Sequence, residues 1–167
     1  MGDAVKIVLK QAAVQPEQVD YFIAGDLLNQ IVTASFVAED LETPFIGVYG
    51  ACSTSVQGLT LASALVDAGF ANLALAATSS HYQTAERQFR YPIELNIQRK
   101  STSQYTATGA GAVLVGQSGG KVRVTEATLG RVVDMGVKDP NQMGPAMAPA
   151  AADTIFNHLA DTGRDPA

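Results

Sequence analysis

The sequence predicts an α/β fold built around a largely parallel sheet. Helix-period and strand-like apolar segments alternate through the first 80 residues, the pattern of an α/β layer. The strand candidates are short, continuous apolar runs, as in strands buried on both faces. Charged residues make up 16% of the chain and apolar residues 47%. Soluble domains carry roughly 25% charge, so this chain buries both faces of a sheet or covers part of its surface with a partner.

The elements follow in order. Val5, Val8, Leu9 and Ala12 share helical spacing, which predicts a helix over residues 3–13. Pro16 and its acidic neighbours mark a turn. Tyr21 to Ala24 reads as a short strand ended by Gly25-Asp26. Ile31, Ala34, Phe36, Val37, Ala38 and Leu41 predict a second helix, stopped before Pro44. Phe45 to Tyr49 is a second strand. Val56, Leu59, Ala62, Leu65 and Val66 form the apolar stripe of a helix over residues 53–68, and Leu73 to Thr78 a third strand. Residues 80–105 are polar and read as a long loop, a length that accompanies function or disorder. Residues 106–115 are small and β-capable. The alternation from Lys121 to Glu126 predicts a further strand. Asp153 caps a last helix running to about Leu159.

At 167 residues, one domain is expected, with enough chain to bury a core unaided. The formal net charge of −5 argues against a nucleic-acid partner, which needs clustered Lys and Arg. The single cysteine permits a reducing compartment and rules out an internal disulfide. No apolar run approaches the ~20 residues of a spanning helix. Residues 1–9 read as amphipathic and charged rather than as a signal peptide.

Chemistry concentrates at Tyr49-Gly50-Ala51-Cys52-Ser53-Thr54-Ser55. The lone thiol falls where a strand gives way to a helix, at the positive end of a helix dipole that favours thiolate. Small neighbours admit a ligand, and helix-start N–H groups suit an oxyanion or carboxylate. The competing reading is a small buried hydrophobe. His81 follows the third strand, and Asp26 and Cys52 lie past the ends of the first two, where α/β sheets collect ligands. For His81 the alternative is a surface loop; for Asp26 and Asn29 it is capping of the second helix. Arg87, Arg90, Arg99 and Lys100 fall in the long loop. Arginine forks suit carboxylates, against the alternative of a solvated loop paired with Glu86 and Glu94. His158 has no assigned role. No metal, phosphate-loop or dinucleotide pattern is present.

These residues together resemble the thiolase-like superfamily and, more closely, the stage V sporulation protein AD family. The matching stretches include Gly25-Asp26-Leu27-Leu28-Asn29-Gln30, Gly50-Ala51-Cys52-Ser53-Thr54-Ser55 and Ala76-Ala77-Thr78-Ser79-Ser80-His81. The more specific ones are Thr84 to Pro92 and Met147 to Ile155. The resemblance covers nearly the whole chain. It implies the first half of a duplicated βαβαβαββ architecture, lacking its first, central strand, so that the chain reads as a partial domain and a fragment. It also implies two exposed strand edges where that strand belongs, and poor folding or association of the isolated chain.

The function implied is binding of pyridine-2,6-dicarboxylic acid (dipicolinate), without a cofactor and possibly with calcium. The family takes part in uptake of calcium dipicolinate into the developing spore. Cys52, His81, Asp26, Asn29, Ser53, Ser80, Arg87 and Arg90 would line the pocket, with no metal ligand among them. The implied partners are membrane proteins of the same sporulation operon. The implied place is peripheral, on the cytoplasmic face of the forespore inner membrane. The full-length protein would be a homodimer joined through Phe45 to Tyr49. Two other readings stand beside this one: a thiolase-like acyltransferase with Cys52 as nucleophile, and a non-catalytic scaffold for membrane partners.

Overall fold

The computed structural model describes residues 1–89, 101, 104–139 and 142–166. They form two compact units, Met1–Val122 and Arg123–Ala167, where one domain was expected.

In the first unit, helices α1 (Gly2–Ala12), α2 (Val32–Leu41), α3 (Thr54–Asp67) and α4 (Tyr82–Phe89) accompany strands β1 (Tyr21–Asp26), β2 (Phe45–Gly47), β3 (Leu73–Ser80) and β4 (Gly109–Gly116). The sheet runs β2-β1-β3-β4. β1 is parallel to β2, with Phe22 opposite Phe45, and parallel to β3 from Tyr21↔Ala74 to Asp26↔Ser79. β4 closes the sheet antiparallel to β3. The expected pair of open edges is therefore absent between β1 and β3: the two strands pair directly along six residue pairs, which satisfies backbone groups that would otherwise be bare.

Strand alternation splits the core between two faces. Phe22, Ala24, Leu75 and Ala77 face Val5 and Leu9 of α1 and Ala34 and Val37 of α2. Ile23, Ala74 and Ala76 face Ala62 and Val66 of α3. Phe22 and Phe45 stack with ring centroids 5.7 Å apart. The α3 stripe differs from the expected one. Thr54, Gly58, Ala62 and Val66 turn inward, while Val56 is 64% exposed. Small residues take the inner positions because Gly58 lies close over Ile23 and Ala76. On α2, Phe36 likewise points outward.

Three element boundaries also differ from expectation. β1 continues through Gly25 and Asp26, and the second strand ends at Gly47, not Tyr49. Residues 80–105 are not one loop, since 82–89 form α4. Its composition is polar, but Ala85 and Glu86 are buried, and a Glu86 carboxylate oxygen accepts the Thr106 N–H at 3.2 Å. The alternation from Lys121 to Glu126 forms no strand. Val122 and Val124 are exposed, and alternation without a partner strand or a surface to pack on does not make a ladder.

In the second unit, α5 (Met143–Thr162) begins ten residues before Asp153, so that residue is internal, not a cap. Pro149 lies inside the helix and supplies no N–H to it. Asp153 accepts two hydrogen bonds from the Arg131 guanidinium, at 2.7 and 3.0 Å. Thr128 pairs with His158 at 2.9 Å, and Arg164 with Glu126 at 2.8 Å. No α5 residue is buried. Among the described residues, no helix is long and apolar enough to cross a membrane.

Candidate functional site

Asp26, Cys52, Ser80 and His81 lie at or just past the carboxyl ends of the parallel strands, where open α/β sheets collect ligands. β2 leads into a 3-10 turn, Ala51–Ser53, that continues as α3. Ala51 holds a left-handed φ of 49°, unusual for a residue with a Cβ. Local hydrogen bonds fix the turn. The Ser53 hydroxyl donates to the Gly50 carbonyl at 2.7 Å, and the Thr54 hydroxyl to the Ala51 carbonyl at 2.8 Å. The Gly50 N–H returns to the Thr54 hydroxyl at 3.0 Å. Cys52 sits exposed on this turn, so it is not the buried hydrophobe of the competing reading.

Gly25 sets how closely the turn approaches β1. A Cβ there would fall 1.9 Å from the Val48 carbonyl oxygen and 2.7 Å from Thr54 Cγ2. Only a residue without a side chain lets the end of β1 lie against the start of α3.

Two clefts open at this end of the sheet. The first, about 330 Å³, is lined by Cys52, Thr54 and Ser55 on one side and Thr78, Ser79 and Ser80 on the other, with Leu27, Ala51 and the Gly109–Gly111 backbone completing it. The second, about 300 Å³, is lined by Asp26, Leu28, Val32, Thr33, His81 and Thr84. Cys52 and His81 thus belong to different clefts and do not meet in one pocket. His81 is exposed, and its carbonyl accepts the first N–H bond of α4, from Ala85 at 3.0 Å.

Asp26 is buried, and its carboxylate is already engaged. One oxygen accepts the Ala34 N–H in the first turn of α2 at 3.2 Å; the other accepts the Ser79 hydroxyl. The helix cap proper, Ile31, is left-handed and offers no side-chain bond, so Asp26 caps α2 from a distance. Ser53 spends its hydroxyl on the Gly50 carbonyl of its own turn and lines neither cleft. Ser80 lines the Cys52 cleft while its hydroxyl donates to the Ala107 carbonyl at 2.5 Å. Arg87 is exposed on α4 and lines neither cleft. Arg90, Arg99, Lys100 and Glu94 lie outside the described residues. Among the described residues, no cluster of three His, Cys, Asp or Glu side chains could hold a metal.

Sequence reasoning missed Gln88. Its side-chain oxygen accepts the Asn29 N–H at 3.1 Å, and its amide donates to the Tyr49 hydroxyl at 2.9 Å. Asn29 therefore contributes its backbone here. No local pattern signals a contact that joins residues 59 and 39 positions apart.

The chain matches stage V sporulation protein AD along its whole length, residues 1–167. It is 54% identical over 164 residues to stage V sporulation protein AD of Bacillus subtilis (strain 168). The chain belongs to the stage V sporulation protein AD family. It spans about half of that relative, 98% of this chain against 48% of the other. The chain also shares its fold with condensing enzymes. The tetronic acid condensing enzyme AbyA1 superposes with a TM-score of 0.68 at 20% identity, covering 98% of this chain and 58% of that one. The 3-oxoacyl-[acyl-carrier-protein] synthase III of Aquifex aeolicus VF5 gives 0.56 at 25% identity, over 72% and 38%. The fold is thiolase-like, represented here by part of the architecture seen in those enzymes.

Proposed function

We propose that this chain forms part of a sporulation protein that binds dipicolinate in the Cys52 cleft and takes part in uptake of calcium dipicolinate into the spore. The observation that carries the reading is the lining of that cleft in a member of this family. Five hydroxyl side chains (Thr54, Ser55, Thr78, Ser79 and Ser80) converge on about 330 Å³ beside Cys52. Three of these hydroxyls already donate within the chain, Thr54 to the Ala51 carbonyl, Ser79 to Asp26 and Ser80 to the Ala107 carbonyl, so Ser55 and Thr78 are the donors for carboxylate oxygens, and the volume falls at the small end of ligand pockets. Arg87 and Arg90 are the cations nearest in sequence that would offset the dianion's charge. Calcium enters with the ligand, as cargo. The partners are membrane proteins of the same operon, at the cytoplasmic face of the forespore inner membrane. The full-length protein is a homodimer joined through β2, a reading supported by the position of β2 at the sheet edge.

The test is titration calorimetry with dipicolinate, with and without calcium, on this chain and on the Bacillus subtilis relative in parallel. Binding that survives Cys52→Ala supports a binding pocket with no need of a nucleophile. Absence of heat from both proteins sinks the dipicolinate reading.

One observation favours a second reading, acyl transfer. The thiol is exposed on a turn whose preceding residue is held at positive φ, and backbone strain gathers at reactive sites. An acyl adduct on Cys52 after incubation with acyl-thioesters, seen by intact mass, would establish it; an inert thiol would remove it.

A further inference from the structure

We infer that Gln88 is a positioning residue that governs the reactivity of Cys52 from outside the cleft. It touches neither the thiol nor the cleft. It reaches from α4 to the β1–α2 loop and to the segment that follows β2. Its carbonyl oxygen holds the Asn29 N–H at 3.1 Å in the β1–α2 loop, and its amide holds the Tyr49 hydroxyl at 2.9 Å. Tyr49 stands three residues before Cys52, next to Gly50, whose N–H and carbonyl are both tied into the cysteine turn. Asn29 lies two residues after Leu27, which lines the Cys52 cleft.

One half-buried amide therefore ties the β1–α2 loop to the residue that leads into the cysteine turn, in addition to the backbone bonds from Leu27 to Ser79 and from Val48 to Ala24. α4 is itself fixed from beneath. Its Glu86 accepts the Thr106 N–H, and its Tyr82 N–H donates to the Thr108 hydroxyl at 2.9 Å. The clamp thus hangs from an anchored helix. The geometry needs a side chain with two polar atoms, because one end must accept from an N–H and the other must meet a hydroxyl, which can donate or accept. Two bonds from one side chain couple the loops energetically. The inference concerns the geometry of the thiol and holds whichever ligand or acyl group the cleft receives.

Cys52 is the chain's only cysteine, so alkylation by iodoacetamide reads this turn alone. Gln88→Leu removes both bonds at similar size and frees the turn. The alkylation rate is expected to rise about threefold or more, the scale of a coupling between contacting side chains. Tyr49→Phe removes one bond and should raise the rate too, and the double variant should not exceed Gln88→Leu. Gln88→Glu keeps an acceptor for both the Asn29 N–H and the Tyr49 hydroxyl and should restore the parental rate, which a merely structural defect would not predict. If Gln88→Leu fails to fold, Tyr49→Phe and Gln88→Glu decide alone. An unchanged rate in Gln88→Leu or Tyr49→Phe, effects that multiply in the double variant, or failure of Gln88→Glu to restore the rate would overturn the inference.

Discussion

In Met1–Val122 the helices meet the sheet through fully buried apolar side chains, among them Val5, Phe22, Ile23 and Leu75. In Arg123–Ala167, α5 buries none of its residues, and the contacts to its own extended segment run through Arg131–Asp153, Thr128–His158 and Arg164–Glu126. Apolar burial is insensitive to ionic strength and pays off in proportion to area. Exposed ion pairs are screened by salt and contribute little each. The two units should therefore answer different perturbations: packing defects should matter in the first, charge and salt in the second.

The largest contrast to test is between two phenylalanines. Phe22→Ala should cost about 3–5 kcal/mol, as for buried aromatics. Phe156→Ala, at a residue 71% exposed, should stay within about 0.5 kcal/mol. Urea unfolding followed by circular dichroism measures both. A large cost at Phe156 would mean that the α5 face is covered in solution, and the contrast would collapse.

Next comes Gly25→Ala. The added methyl meets a backbone carbonyl that cannot rotate away, so a loss of about 1–3 kcal/mol is expected from overpacking. The same melts would show it, and Cys52 alkylation should change with it because the turn must retreat. A neutral result would show that the first unit yields more easily than its packing implies.

A smaller effect concerns α5. The Arg131 hydrogen bonds hold the Asp153 carboxyl below its ordinary value of 3.8. A lowered folded value contributes stability above 3.8 that is lost as the pH falls beneath it. Acidification through that window, or Arg131→Ala at neutral pH, should lower amide protection along α5, measured against intrinsic exchange at the same pH, and leave β1 and β3 protected. Equal loss of protection in both units would break the distinction.

The smallest effect belongs to Asp20. Its carboxylate accepts the Leu73 and Asn72 N–H groups, at 3.0 and 2.6 Å, and these bonds lower its value. The sign is the same as for Asp153, so this contribution also fades below 3.8. Asp20→Asn should lower the neutral-pH plateau of the first unit's stability curve slightly and flatten its acid limb by the same amount. An unaltered acid limb would assign that limb to other carboxyls.

The early fold was legible because local periodicity and tertiary packing agree there. Val5 and Leu9, Phe22 through Ala24, and Leu73 through Thr78 carry the pattern of the layer they occupy. α4 was not legible. Its inward pair is Ala85 and Glu86, and a carboxylate that faces inward to meet a backbone N–H reads from sequence as a loop charge. The strand expected from Lys121 to Glu126 failed for the opposite reason, since its pattern is clear but nothing pairs with it. At the site, the strand-end positions of Cys52, Asp26 and His81 were legible in the sequence, while Ser80 came in only with the family resemblance. Their division between two clefts was not legible, because it depends on where α4 starts. Gln88 left no trace in the sequence, as a contact across 59 residues has no period.

The direct pairing of β1 with β3 bears on how the chain is made. Asp26 and Ser79 are 53 residues apart, and everything between them forms α2, β2 and α3. Closing so long a loop costs entropy before any contact rewards it, which places the central strand pair among the slower steps of folding. On a ribosome adding 5–20 residues per second, the apolar run from Tyr21 to Ala24 waits about 3–10 s for its partner strand to be synthesised. During that interval its neighbour β2 is already made but only three residues long. Until Leu73 to Ser80 emerges, the edge of Tyr21–Asp26 that β3 covers in the folded chain has no partner strand.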